Sequence, residues 1–395
     1  MHLPRRCFVF RHSIHPYHFF TRPFFSGPLQ QKHHTAYSPR RNSHQAAVIM
    51  EQSEANAPPE RPPIFVSMGM TILDELRFSH QKTAYDMPGG SGLFAALGAR
   101  LFKPGPEAAD VGCVIAAGCN MPESLLSLLK SWGLTLLVLT DPDKLFTRGL
   151  LEYLDDGFGG TRFTYVTPPL KPETRQLNAS SLLYAKSFHF LALPSDLQDQ
   201  VNTLLRLREE NGIMERPLIV WEPAPKGCDS NELEAHRDAC ALVDVISPNH
   251  IELHRLFNGK SEEDVEFSKD AIMTQAGAFV DAGIGPNGTG LIVVRCGYHG
   301  AMVLSRNCEP RWASAYYGKD DENVVDATGA GNAFLGAFAV TFTDTGDAWA
   351  ACMKGSIAAS YAIEQFGPPT LTIEKPELWN KSDPMRRLEE LITRG

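Results

Sequence analysis

From residue 64 onward, short apolar runs alternate with segments of helical period, and that alternation leaves few architectures open. Ile64-Phe65-Val66-Ser67-Met68-Gly69 reads as a short strand, as do Val111–Ala117, Leu134–Leu139, Phe188–Ala192, Leu218–Trp221, Val243–Ile246 and Leu291–Val294. Helical patterns lie between them, over Pro122–Gly133, over Asp196–Asn211 with Val201, Leu204, Leu205 and Leu207, and over roughly Ser268–Ala282. Strands that are apolar at nearly every position are buried on both faces, and helical connections return the chain to parallel strands. The sequence therefore implies an α/β fold with a mostly parallel central sheet and helices on both faces. Two closing helices, about 331–343 and 347–366, are apolar nearly all round and must be covered on every side.

One stretch breaks this rhythm. Thr147–Leu154 and Thr161–Val166 read as strands around the Gly-rich turn Asp155–Gly160, a small inserted hairpin at about 147–166. Such an insertion is either a lid over a site or an edge that pairs across a homodimer. The expected organisation is a disordered basic extension and Pro-rich linker over 1–63, one α/β domain over 64–375, and a C-terminal helix or tail over 376–395.

Composition removes several functions. No apolar run reaches the ~18–20 residues of a membrane-spanning helix, so no membrane partner is expected. Residues 1–50 hold seven Lys/Arg and no acid, which makes the rest of the chain more acidic than the overall charge of −9. An acidic body argues against nucleic acid as a partner. The eight cysteines are scattered with no Cys-x-x-Cys pair, which favours a reducing compartment and hence the cytoplasm. The basic head is a disordered tail, sequence upstream of a start at Met50, or a mitochondrial transit segment; against the last, Pro4, Pro16, Pro23 and Pro28 would break an amphipathic helix.

The strongest chemical signal is Val324-Val325-Asp326-Ala327-Thr328-Gly329-Ala330-Gly331-Asn332, running directly into an apolar helix. Helix N-termini carry unpaired N–H groups and a positive dipole end, so this small-residue turn is a candidate anion site. Its position near the C-terminus and its lack of Lys-Ser/Thr exclude a P-loop. Asp326 opens the turn and is a candidate substitute base, though six residues before Asn332 it is better placed to order the loop. Asn332, on the helix's first turn, is an amide and cannot accept a proton at neutral pH. Other polar and aromatic residues have structural readings: His189 lies within a strand, and Trp132, Trp221 and Trp349 lie in apolar segments.

Together these residues carry a family resemblance. Asp326–Asn332 resembles the Asp-Thr-x-Gly-Ala-Gly-Asp signature of the pfkB, or ribokinase-like, carbohydrate kinases. Asn249 and Glu252 resemble the family's Asn-x-x-Glu, and Arg295–Gly300 its Thr-x-Gly-x-x-Gly nucleotide loop. Pro88-Gly89-Gly90 resembles its di-glycine, and Gly69–Asp74 the first strand with a substrate-binding Asp. The Gly-Ala-Gly-Asn turn and the Thr147-Arg148-Gly149 lid start are also similar to the fungal maintenance-of-killer branch.

The resemblance implies a ribokinase-like fold that uses ATP and Mg²⁺ to phosphorylate a hydroxyl of a small sugar-like metabolite. It implies an anion hole at Gly329, Ala330 and Gly331, a catalytic base at position 332, and metal and phosphate organisation by Glu252 and Asn249. Nucleotide contacts are implied at Arg295, Gly297, Gly300 and Ser356, and substrate contacts at Asp74, Gly89, Gly90 and Phe94. Five departures stand out: Asn332 replaces the base, Arg295 the loop's Thr, Asn120 an Asp, Phe94 a sugar-binding Asn, and Ser356 stands near the usual nucleotide-site Asn. A general base contributes ~10²–10⁴ in rate, so two readings follow: a slow phosphotransferase, or a pseudokinase that binds nucleotide or metabolite and acts through partners.

Overall fold

The computed structural model describes residues 47–48, 59–78, 81–153, 161–259 and 266–394. Residues 1–46 of the basic extension, 49–58 of the linker and the Gly-rich turn at 155–160 lie outside them. In chain order the elements are β1 (Ala47–Val48), β2 (Phe65–Ser67), β3 (Ile72–Arg77), β4 (Ala84–Gly89), α1 (Ser91–Leu101), β5 (Val111–Gly118), α2 (Glu123–Ser131) and β6 (Thr135–Asp141). Next come β7 (Arg148–Tyr153), β8 (Thr161–Tyr165), β9 (Ser187–Ala192), α3 (Pro194–Glu210), β10 (Leu218–Pro223), α4 (Leu233–Cys240), β11 (Val245–Ile246) and α5 (His250–Asn258). The chain continues through α6 (Lys269–Ala282), β12 (Leu291–Arg295), β13 (Ala301–Ser305), β14 (Cys308–Ala313), α7 (Ala330–Thr345), α8 (Ala348–Ala362), β15 (Leu371–Thr372), β16 (Leu378–Trp379) and α9 (Pro384–Arg394).

The main sheet runs β1-β6-β5-β2-β9-β10-β11-β12-β13-β14. Its seven inner strands from β6 to β12 are parallel, and β1, β13 and β14 join antiparallel. Alternation along each strand feeds two cores. Phe65, Val111, Val245 and Val293 pack with α1, α7 and α8, whereas Val66, Val114, Ile246 and Ile292 pack with α3, α5 and α6. The apolar closing helices are thus covered by the sheet and by α1, as their composition requires. From β2 the chain builds toward β5 and β6, then crosses back to β9 and onward, so strand order reverses between β2 and β9. Parallel sheets bind ligands outside the carboxyl ends of strands near such a reversal.

The inserted hairpin is half of a larger unit. A second sheet has the order β4-β3-β7-β8, with β3 parallel to β7 and antiparallel to β4. The sequence shows β7 and β8 by their pattern. It hides β3 and β4, where Asp86 adopts φ 55° and a register irregularity falls between Asp74 and Leu76. Asp74 accordingly sits on this small sheet and not on β2 of the large one, which ends at Ser67.

Candidate active site

Helix α7 starts where the sequence places it. Gly329 caps it with φ 80°, a left-handed conformation that glycine takes without strain. Asp326 Oδ1 accepts from the Thr328 N–H at 3.1 Å and the Thr328 hydroxyl at 2.8 Å, which orders the turn. The N–H groups of Val325 and Asp326 donate to the Ile363 carbonyl and tie the turn to the end of α8. Phe94 lies beneath it. Its ring is 2% exposed and fills the space a side chain at Gly329 would need, so it forms a floor to the turn.

Asn332 is bonded to an acid that the sequence reading missed. Its Nδ2 donates to Glu222 Oε2, leaving Oδ1 as an acceptor at the head of the helix. Glu222, next to last on β10, also meets Arg295 Nη1 at 2.8 Å and His189 Nε2 at 3.3 Å. His189 Nδ1 lies 3.2 Å from Ser67 Oγ, so a polar chain crosses the sheet between β2 and β10. Burial works to raise the Glu222 carboxyl, but Arg295 and His189 outweigh it and hold the group below its usual range. The clue available in sequence was one acid at the carboxyl end of an otherwise apolar strand. Its partners stand 33, 73 and 110 positions away.

The sequence makes Glu252 a metal ligand with Asn249 beside it. In the structure Asn249 Oδ1 accepts the Glu252 N–H and Glu252 Oε2 accepts the Asn249 N–H, each at 2.8 Å, a reciprocal capping box for α5. The same Oε2 lies 3.6 Å from Arg295 Nη2. Burial pushes the Glu252 carboxyl up to about 7 against the pull of Arg295, and Glu222 adds to the rise. Mg²⁺ ligated directly by Glu252 would displace both a cap and a guanidinium. A carboxylate so engaged does not fit a directly bound Mg²⁺.

On one side of the α7 turn lies a cavity of about 750 Å³. Arg295, Gly297, Gly300 and Ser356 line it, as do Ala330 and Gly331 from the turn. The remaining wall is largely apolar or aromatic, with Phe334, Ile363 and Tyr317, and Lys319 is a second cation in the lining. Such a space suits a flat ring at one end and an anion at the other. Tyr316 and Tyr317 are held from behind. Their hydroxyls donate to Glu390 at 2.7 Å and Glu364 at 2.6 Å, and Arg387 of α9 pairs with Glu364 at 2.6 Å.

The small sheet places a different group near the same turn. Asp74 is 5% exposed, its Oδ1 has no hydrogen-bond partner, and burial together with Asp326 pushes its carboxyl up to about 7. A Cβ on either Gly89 or Gly149 would run into this carboxylate, so both glycines make room for it. Tyr153 also neighbours Asp326, and burial first, then that charge, raises its phenol. Gly90 caps α1 with φ 96°. Gly89 thus lies against the Asp74 carboxylate, which feels the charge of Asp326, while Gly90 turns the chain into α1.

Residues 75–375 match the pfkB family carbohydrate kinases. An uncharacterized protein of Schizosaccharomyces pombe is 31% identical over 340 residues, 82% of this chain and 92% of its own length. Protein MAK32 of Saccharomyces cerevisiae is 29% identical over 325 residues, covering 78% of this chain and 86% of its own. Among solved structures, an Escherichia coli protein described as a ribokinase II in complex with ATP and Mg²⁺ superposes with a TM-score of 0.59 at 19% identity, over 84% of this chain and 99% of that one. The match through the turn, the cavity and the small sheet, together with relatives aligned over most of both chains, places this protein in the pfkB family of carbohydrate kinases.

Proposed function

We propose that the protein binds ATP in the cavity beside the α7 turn and transfers its terminal phosphoryl group to a hydroxyl of a small polyhydroxylated metabolite held against Asp74. The observation that supports this most is the placement of two unlike sites around one anion-binding helix start. On one side is a cavity with an apolar wall and cations; on the other is a buried carboxylate with an unfilled acceptor. Phosphoryl transfer needs in-line positioning and charge neutralisation more than covalent chemistry. The first-turn N–H groups of α7 would receive the transferring group. Asp74 would accept hydrogen bonds from substrate hydroxyls, and Asn332 Oδ1 would accept one from the attacking hydroxyl without removing its proton, which passes to a phosphoryl oxygen and on to water as the new P–O bond forms and the bond to ADP breaks. Turnover is accordingly slow.

The Asn332–Glu222 bond favours a second reading, in which the same site binds nucleotide without turnover and the protein acts through interactions. Calorimetry with ATP, followed by turnover assays of wild type and Asn332→Asp against sugars, nucleosides and pyridoxine-like alcohols, separates the two. ATP binding in the micromolar-to-millimolar range with measurable turnover supports the kinase. Binding with no turnover in either protein supports the pseudokinase, and absence of ATP binding removes both.

A further inference from the structure

Arg295 ends β12 at the position where the resembling nucleotide loop carries a short, neutral threonine. An arginine there is a different chemical object: permanently charged, planar and armed with five N–H donors. The fold commits two buried carboxylates to holding it. Nη1 lies 2.8 Å from Glu222 Oε1, Nη2 lies 3.6 Å from Glu252 Oε2, and Nη2 donates to the Ser247 carbonyl at 2.9 Å. The side chain is only 11% exposed, and Nε has no acceptor among the described residues.

Its location matters as much as its partners. A methyl group on Gly331 would strike Nη1, so the guanidinium lies directly against the first turn of α7. Arg295 and Gly331 both line the cavity. First-turn N–H groups of a helix lack intrahelical acceptors, and a guanidinium presents parallel N–H groups to phosphate oxygens. Two kinds of anion donor therefore converge at one end of the space, beside the carboxylate that a metal would otherwise have to use.

We propose that Arg295 is the resident phosphate-anchoring cation of this site, standing in for a divalent ion at Glu252, so that polyphosphate binds here without metal. This rests on the nucleotide reading of the cavity for its ATP arm but not for its polyphosphate arm. Glu222 and Glu252 keep the guanidinium from swinging away into solvent, and Gly331 leaves the clearance for it to remain against the helix. The substitution of Arg for Thr and the capping of Glu252 are then two halves of one change.

The test is calorimetric titration of wild-type protein with ATP and separately with inorganic tripolyphosphate, each with Mg²⁺ and again with EDTA. Both ligands are expected to bind in EDTA within about threefold of any Mg²⁺ value, as a fixed protein cation requires. Arg295→Thr, and the double variant Arg295→Thr with Glu222→Gln that leaves one fewer buried acid unpaired, should lose at least about tenfold in EDTA. Arg295→Lys should lose less. Wild-type binding that collapses in EDTA, or neutral variants that bind as wild type does, overturns the proposal, and the wild-type arm stands even if a variant fails to fold. Tripolyphosphate bound without metal while ATP is refused would uphold Arg295 and sink the nucleotide reading. ATP bound only with Mg²⁺ would do the reverse, and refusal of both ligands would end both.

Discussion

The two sides of the α7 turn each bury a carboxyl group pushed up to about 7, and they do so for opposite structural reasons. On the cavity side Glu252 is surrounded by partners: it caps a helix, faces Arg295 and feels Glu222. On the small-sheet side Asp74 has an oxygen with no partner, glycines where side chains would crowd it, and Asp326 as its charged neighbour. Equal proton affinity thus hides unequal readiness. The Glu252 side is assembled before any ligand arrives, whereas the Asp74 side holds a buried acceptor whose desolvation only a ligand can offset.

Asn332 straddles that divide, and altering it gives the largest expected effect. Asn332→Asp alone puts a second carboxylate against Glu222, and two close carboxylates cannot both ionise freely. The new base is then partly protonated at neutral pH, so its turnover should climb as pH rises. Combining it with Glu222→Gln removes the competing charge and should raise sugar-dependent turnover by about 10²-fold or more over wild type. A double variant no faster than Asn332→Asp, in a pH–rate profile, would show that Glu222 does not restrain position 332.

Gly331→Ala breaks the cavity side alone. The added methyl meets the Arg295 guanidinium, so ATP binding by calorimetry should weaken at least about tenfold, and stability in urea should fall by about 1–3 kcal/mol. Unchanged ATP affinity would mean that Arg295 moves aside at no cost. Asp74→Asn probes the other side through stability. Both Asp74 and Glu252 hold protons in the folded state that the unfolded chain releases, so each lowers stability as pH rises from about 4 to about 7. Asp74→Asn should remove about half of that fall and raise the melting temperature at pH 8, while leaving ATP affinity unchanged. Melting curves that keep the wild-type slope would refute the burial of a charge at Asp74. The smallest expected effect is that of Tyr316→Phe. Losing its bond to Glu390 should cost about 0.5–1.5 kcal/mol and soften only the cavity wall, read as a modest loss of ATP affinity.

The same divide explains what the sequence could and could not disclose. The α/β alternation, the turn at 326–332 and the start of α7 were legible because they are local: a few neighbouring residues determine each. The small sheet was half legible, since β7 and β8 alternate while β3 and β4 carry Asp74, Asp86 and Pro88 in place of a clean pattern. Glu222 was illegible because its meaning comes from His189, Arg295 and Asn332, brought together only by strand order. The resemblance of Asn249 and Glu252 to the family's Asn-x-x-Glu implies metal and phosphate organisation, and the same spacing makes the capping box the structure shows, a bond that spacing alone does not disclose. The packing of Phe94 is hidden for a related reason. Its place after the di-glycine says nothing about Gly329, whose turn its ring supports.

One wall of the cavity leans on the C-terminal helix. Tyr316 and Tyr317 are braced by Glu364 and by Glu390 and Arg387 of α9, the last element of the chain order. Opening of α9 alone would remove Glu390 and Arg387 while every strand pair of the main sheet stays intact, so this wall loosens before the sheet does as the protein is destabilised.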